Sequence, residues 1–195
     1  IITIIEPKLI ITSWKQKSPD SRFPIPFSYI EELPNASSGC SVITNNYKKN
    51  IEDVCSIILT SGTTGIPKAV QLTYGNFEAS CNNWNEFLQF QPNDQFLCCL
   101  PLYHIGGLAV MLRALMFGFS VNLVSTFEAK LVLGTIIKHP VTIISLVPTM
   151  LKRILDLEGG LNALKSLRWI LLGGGPSPEY LLDLCIAKKL KIVKV

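Results

Sequence analysis

Thr60-Ser61-Gly62-Thr63-Thr64-Gly65-Ile66-Pro67-Lys68 packs four hydroxyl side chains, two glycines and one lysine into a single short stretch. Those residue types suit the grip of a polyphosphate. Glycines let backbone N–H groups turn inward with no Cβ in the way. Successive inward N–H groups make a concave anion site, and hydroxyls add short donors to it. Lys68 can supply a compact positive charge. The common nucleotide loop is a different object, with Gly-Lys-Ser/Thr opening a helix. Here Pro67 precedes the lysine and a β-rich stretch, 69–73, follows.

Two further places have chemical possibilities. His104 closes Leu100-Pro101-Leu102-Tyr103-His104 and precedes Ile105-Gly106-Gly107. A lone loop histidine serves packing and hydrogen bonding more often than catalysis. Gly106 and Gly107 are expected to let the next helix start close to a ligand. Gly173-Gly174-Gly175-Pro176 follows an apolar strand and reads either as a tight turn or as bare backbone against which a flat ring can lie. Its place at the carboxyl end of a strand favours ligand contact. Val147-Pro148-Thr149 lines a pocket on the same side or simply starts a helix. No Gly-x-Ser-x-Gly elbow is present, which argues against a serine hydrolase. His139 reads as a helix-end cation, and Asp156, Glu158, Glu179 and Asp183 as solvated helix faces.

Such loops need rigid elements to aim them. The pattern predicts strands at 8–14, 55–59, 69–73, 95–100, 120–124, 141–146, 169–172 and 191–195. Helices are predicted at 74–90 with Thr73 as N-cap and Pro92-Asn93-Asp94 as its end, 107–117 ended by Gly118, 127–138 stopped by Pro140, 148–157 with Pro148 in its first turn, and 177–189. Residues 15–50, rich in Pro, Ser and Asn, read as a long irregular connector. Strands alternating with helices imply an α/β fold with a largely parallel sheet.

Composition agrees. Apolar residues are 48% and charged residues 16% of 195, which suits a buried sheet under helices and excludes disorder. A net charge of +4 without a run of like charges gives nucleic-acid binding little support. No apolar run reaches the length of a membrane span. The start, Ile1-Ile2-Thr3-Ile4-Ile5, lacks signal-peptide character and reads as a chain entered in mid-domain. Cys40, Cys55, Cys81, Cys98, Cys99 and Cys185 show no C-x-x-C spacing; they read as small buried hydrophobes in a reducing compartment, with Cys98 and Cys99 pointing to opposite faces of one strand.

The run 60–68, together with Gln71-Leu72-Thr73-Tyr74-Gly75-Asn76, the Leu100–Gly107 segment and Leu171-Leu172-Gly173-Gly174-Gly175-Pro176, resembles the acyl-adenylate-forming enzymes: acyl-CoA ligases, luciferases and peptide-synthetase adenylation domains. Residues 55–195 are most similar to the o-succinylbenzoate–CoA ligase branch. The resemblance implies a mostly parallel α/β sheet flanked by helices, part of a large N-terminal domain. Residues 1–54 would be an incomplete N-terminal strand and connector, and 55–195 a partial AMP-binding domain. By the same resemblance Thr60, Ser61, Gly62, Thr63, Thr64, Gly65 and Lys68 hold the β- and γ-phosphates of ATP. Lys68 would stabilise the departing charge, and His104 would position the acid. Gly173, Gly174, Gly175 and Pro176 would border adenine and part of the acyl group. Ala69 stands where the family usually has glycine, a mild departure in a strand.

The implied reaction joins a small carboxylic acid to coenzyme A, with ATP and Mg²⁺, for menaquinone or phylloquinone synthesis. The implied setting is the cytoplasm or a plastid stroma, and a homo-oligomer is compatible with it. The magnesium-holding Tyr-Gly-x-Thr-Glu motif, the ribose-binding aspartate and a small domain with a catalytic lysine are expected after Val195, so no metal ligand is assigned and the chain alone is expected not to catalyse. Another acyl or aryl acid, and a non-catalytic nucleotide-binding remnant, remain open readings.

Overall fold

Short apolar runs separated by amphipathic segments can bury both faces of a sheet only if the helices divide between those faces. The computed structural model of the chain, which describes residues 10–12, 27–29, 50–60 and 67–195, is built that way. Two compact units are distinguished: Ile1–Asn50 with Leu59–Val70, and Ile51–Ile58 with Gln71–Val195. In the first, β1 (Ile10–Thr12) pairs in parallel with β2 (Phe27–Tyr29). β2 thus interrupts the stretch read as irregular; its Phe-Ser-Tyr sequence has the aromatic content that favours strands. β3 (Val54–Thr60) and β4 (Lys68–Thr73) form a two-stranded sheet.

The second unit holds the main architecture. Helix α1 (Tyr74–Leu88) leads to β5 (Gln95–Cys98), α2 (Ile105–Phe117) to β6 (Ser120–Leu123), and α3 (Ala129–Lys138) to β7 (Ile143–Leu146). Two short helices, α4 (Pro148–Leu155) and α5 (Gly160–Ser166), lead to β8 (Trp169–Leu172); α6 (Glu179–Ala187) leads to β9 (Ile192–Lys194). The five strands are parallel throughout and lie in the order β6-β5-β7-β8-β9. The chain therefore moves outward from β5 to β6, then crosses back to the other side of β5. That reversal opens a crevice between the carboxyl ends of β5 and β7, where open α/β sheets bind ligands.

Alternation along each strand sorts the core into two layers. Leu97, Cys99, Ile144, Leu146, Ile170 and Leu172 pack with α3, α4, α5 and α6. Phe96, Cys98, Ile143 and Leu171 pack with Leu88 and Val110 of α1 and α2. Cys98 and Cys99 are buried on opposite faces, as strand geometry requires. Each large side chain taken from water here, such as Phe96 or Ile143, contributes about 1.5–3 kcal/mol.

Local chemistry sets most element ends. Thr73 caps α1 in a reciprocal box: its Oγ1 accepts from Asn76 N at 3.2 Å, and Asn76 Oδ1 accepts from Thr73 N at 2.9 Å. α1 stops at Leu88, two residues short of expectation, because Gln89 turns left-handed at φ 51° and Asn85 Oδ1 takes the Phe90 N–H. Gly118 ends α2 in the left-handed region at φ 73°. Helix α5 has no counterpart in the sequence-based expectation. Gly159 at φ 78° caps α5, and a Cβ on Gly160 would overlap the Ile154 carbonyl. Among the described residues no helix is long and apolar enough to cross a membrane.

Candidate active site

A cavity of about 690 Å³ opens at the crevice, with α1 and α2 on one side and the carboxyl ends of β5, β7 and β8 beneath. Its walls are mostly apolar, from Phe77, Leu100, Ala109, Leu146 and Met150. Polar groups are few, which is the usual character of a small-molecule site. Asn76 and Ser80 of α1 and Ser145 of β7 are among them.

His104 reaches this cavity from the N-cap position of α2. Its backbone does the positioning: its N–H donates to Pro101 O at 3.1 Å, and its carbonyl accepts from Gly107 N at 3.1 Å and Leu108 N at 3.0 Å. The imidazole makes no capping bond to the helix and lies beside the Tyr103 ring, 4.5 Å between centroids. The two glycines that follow have different uses. Gly106 lines the cavity, but Gly107 is buried against the preceding loop, and a Cβ there would overlap the Pro101 carbonyl. Close approach at Gly107 is thus to the chain's own backbone, because the Pro101 turn folds directly under α2.

After β8, Gly173 and Gly174 line the same cavity. Gly174 takes φ 79° with Val147 Cγ1 2.9 Å from where its Cβ would stand, so only glycine fits. Gly175 and Pro176 are exposed and stand outside the lining set. Val147 lines the cavity too, whereas Pro148 is the buried first residue of α4. Lys68 and Thr60 belong to β4 and β3, where the Thr60 hydroxyl reaches the Lys68 carbonyl at 3.5 Å. Both are exposed. Ser61, Gly62, Thr63, Thr64 and Gly65 lie outside the described residues.

Among the cavity residues that escaped the sequence reading is a buried cation. Arg113, on α2, is only 8% exposed, and its Nε has no hydrogen-bond partner among the described residues. The guanidinium carbon lies 5.1 Å from the centre of the Trp84 ring. Burial pushes the Arg113 pKa below its ordinary value, an effect partly opposed by the nearby Cys81 thiol. A desolvated cation facing an apolar hollow is costly until an anion arrives. A lone arginine in the middle of an apolar helix was the available signal, since arginine is almost never fully buried unless paired. Among the described residues no group of three His, Cys, Asp or Glu side chains is placed to hold a metal ion.

The family model described as AMP-binding enzyme matches residues 6–188. A 2-succinylbenzoate–CoA ligase from Bacillus cytotoxicus is 38% identical over 168 residues, covering 86% of this chain and 34% of the relative. The o-succinylbenzoate CoA synthetase of Bacillus subtilis, solved with its acyl-adenylate intermediate, matches with a TM-score of 0.82 at 29% identity, over 98% of this chain and 39% of that one. The same synthetase solved with ATP and a magnesium ion matches with a TM-score of 0.80 at 32% identity, over 94% and 38% respectively. The chain therefore spans roughly a third of the length of the curated relatives it matches.

Proposed function

The chain belongs to the AMP-binding enzyme family, and from that membership we propose that it forms part of an ATP-dependent acid–CoA ligase whose acid is o-succinylbenzoate. The observation that carries the choice of acid is Arg113. o-Succinylbenzoate has two carboxylates. One is activated, and the other needs a counter-charge in a site that otherwise excludes water. A buried guanidinium with an unpartnered Nε on an apolar cavity supplies that counter-charge.

In the proposed reaction the free carboxylate attacks the α-phosphorus of ATP, forming acyl-adenylate and releasing pyrophosphate. The thiol of coenzyme A then attacks the acyl carbon, forming the thioester and releasing AMP. His104 orients the acid at the mouth of the cavity, and Gly173 and Gly174 offer bare backbone to a flat ring. Gly175 and Pro176 shape the turn beside them. Thr60, Ser61, Gly62, Thr63, Thr64, Gly65 and Lys68 are assigned to the β- and γ-phosphates, where oriented N–H groups and a lysine stabilise charge as pyrophosphate leaves. The reaction class calls for magnesium, but no set of described residues fits it. The described cysteines are free thiols, in keeping with a reducing cytoplasm or plastid stroma and a role in menaquinone or phylloquinone synthesis.

The test uses the complete protein that carries this segment. With ATP and o-succinylbenzoate it should release pyrophosphate in an acid-dependent manner, and with coenzyme A it should form the thioester. Silence with that acid and turnover of another would reassign the substrate. ATP binding without pyrophosphate release from any acid would make it a non-catalytic nucleotide-binding protein.

A further inference from the structure

Trp84 lines two separate hollows. It forms part of the wall of the 690 Å³ cavity, and it also borders a smaller recess of about 260 Å³ with Asn83, Phe87 and Val193. The recess is nearly all apolar, and Phe87 in its wall lies 5.8 Å from the Trp169 ring. Trp84 itself is half-buried and packs on the core layer of Phe96, Val110 and Phe119. In the same position its ring faces the Arg113 guanidinium at 5.1 Å, within cation–π range. One indole therefore borders both the cavity and a shallower, open apolar recess, and faces the Arg113 guanidinium.

We propose that Trp84 is a specificity-determining partition: it selects a short aryl acid bearing a second carboxylate and rejects a longer acid bearing an apolar chain. The proposal rests on the reading of the cavity as the acid site. Its two parts follow from the two contacts. Loss of the ring removes the cation–π partner, which leaves Arg113 freer to swing from the carboxylate. It also joins the recess to the cavity, adding apolar volume that an alkyl chain can fill. A hydrophobic pocket discriminates by about tenfold or more for each methylene it accepts or excludes.

The experiment compares Trp84→Ala and Trp84→Phe in the complete protein, following pyrophosphate release with o-succinylbenzoate, benzoylpropionate and benzoylpropionate with a butyl chain on the ring. For Trp84→Ala, kcat/KM on o-succinylbenzoate should fall about three- to thirtyfold, mainly through KM, as the cation–π contact is lost. The butylated acid should gain about tenfold or more over wild type. Trp84→Phe keeps an aromatic face and should keep the wild-type order of preference. Equal loss on all acids, or an unchanged ratio between the dicarboxylate and the butylated acid, would overturn the partition. If the alanine variant does not fold, Trp84→Leu makes the same comparison. Wild-type silence on o-succinylbenzoate would sink the assigned substrate alone; the partition is then judged on the acid that is turned over and its butylated form.

Discussion

A guanidinium enclosed by apolar walls without an anion stores instability that a ligand can relieve. Arg113 is in that condition, with Trp84 on one side and the cavity on the other. Replacing a buried charge by an apolar side chain of similar length often stabilises a fold by about 1–4 kcal/mol. Arg113→Met should therefore raise the unfolding free energy measured in urea. Affinity should move the opposite way, with KM for o-succinylbenzoate rising about thirtyfold or more, since truncating one member of a buried charge pair costs about 2–5 kcal/mol. Lower stability together with unchanged KM would show that Arg113 is a packing residue. His104 was legible at this scale because a glycine pair follows it. Arg113 stands out as a lone charge in an apolar 13-residue helix, but nothing local says which way it will face.

At the opposite end of the strands from the cavity, the elements are held by a second charge that the sequence reading took for a turn. Asp94 is 2% exposed and accepts from Arg168 Nη2 at 2.5 Å, Arg168 Nε at 3.2 Å, Thr142 Oγ1 at 2.7 Å and Gln91 N at 2.8 Å. Arg168 Nη1 also donates to Leu88 O at 2.7 Å. The network ties the amino ends of β5, β7 and β8 to the end of α1, and so fixes the helix that carries Trp84. Asp94→Ala should cost about 3 kcal/mol or more, because it strands a partly buried guanidinium and several donors. The midpoint of urea unfolding should fall with little change in slope, while KM of the folded fraction stays near wild type. A change in KM larger than the change in stability would mean that the clamp reaches the site. Pro92-Asn93-Asp94 was readable as the end of a helix; its partner, 74 positions along the chain, was not.

Across the whole molecule, thiols are buried in both core layers. Burial pushes the Cys81, Cys98 and Cys185 thiols up from their ordinary value. Cys99 is driven further, to about 12, by burial and then by the neighbouring Cys98. A thiol whose folded pKa is raised binds its proton more tightly when folded. Its contribution is therefore complete below the unfolded value and is lost as pH climbs toward the folded one. Stability should decline between about pH 9 and pH 12, and Cys99→Ala should lower stability overall yet flatten that decline. Urea titrations at several pH values measure both, and an undiminished slope in the variant would remove Cys99 as a cause.

The order of elements along the chain, the parallel sheet, the Thr73 cap and the Gly118 stop were determined by the sequence alone. These depend on apolar period, capping groups and glycine placement, all of which act within a few residues. The tertiary structure alone decided that His104, Arg113, Trp84, Gly173 and Gly174 share one cavity. Their meeting depends on the strand order β6-β5-β7-β8-β9 and on which sheet face each helix covers. Those are long-range pairings between segments tens of residues apart, and no local pattern of residue types encodes them.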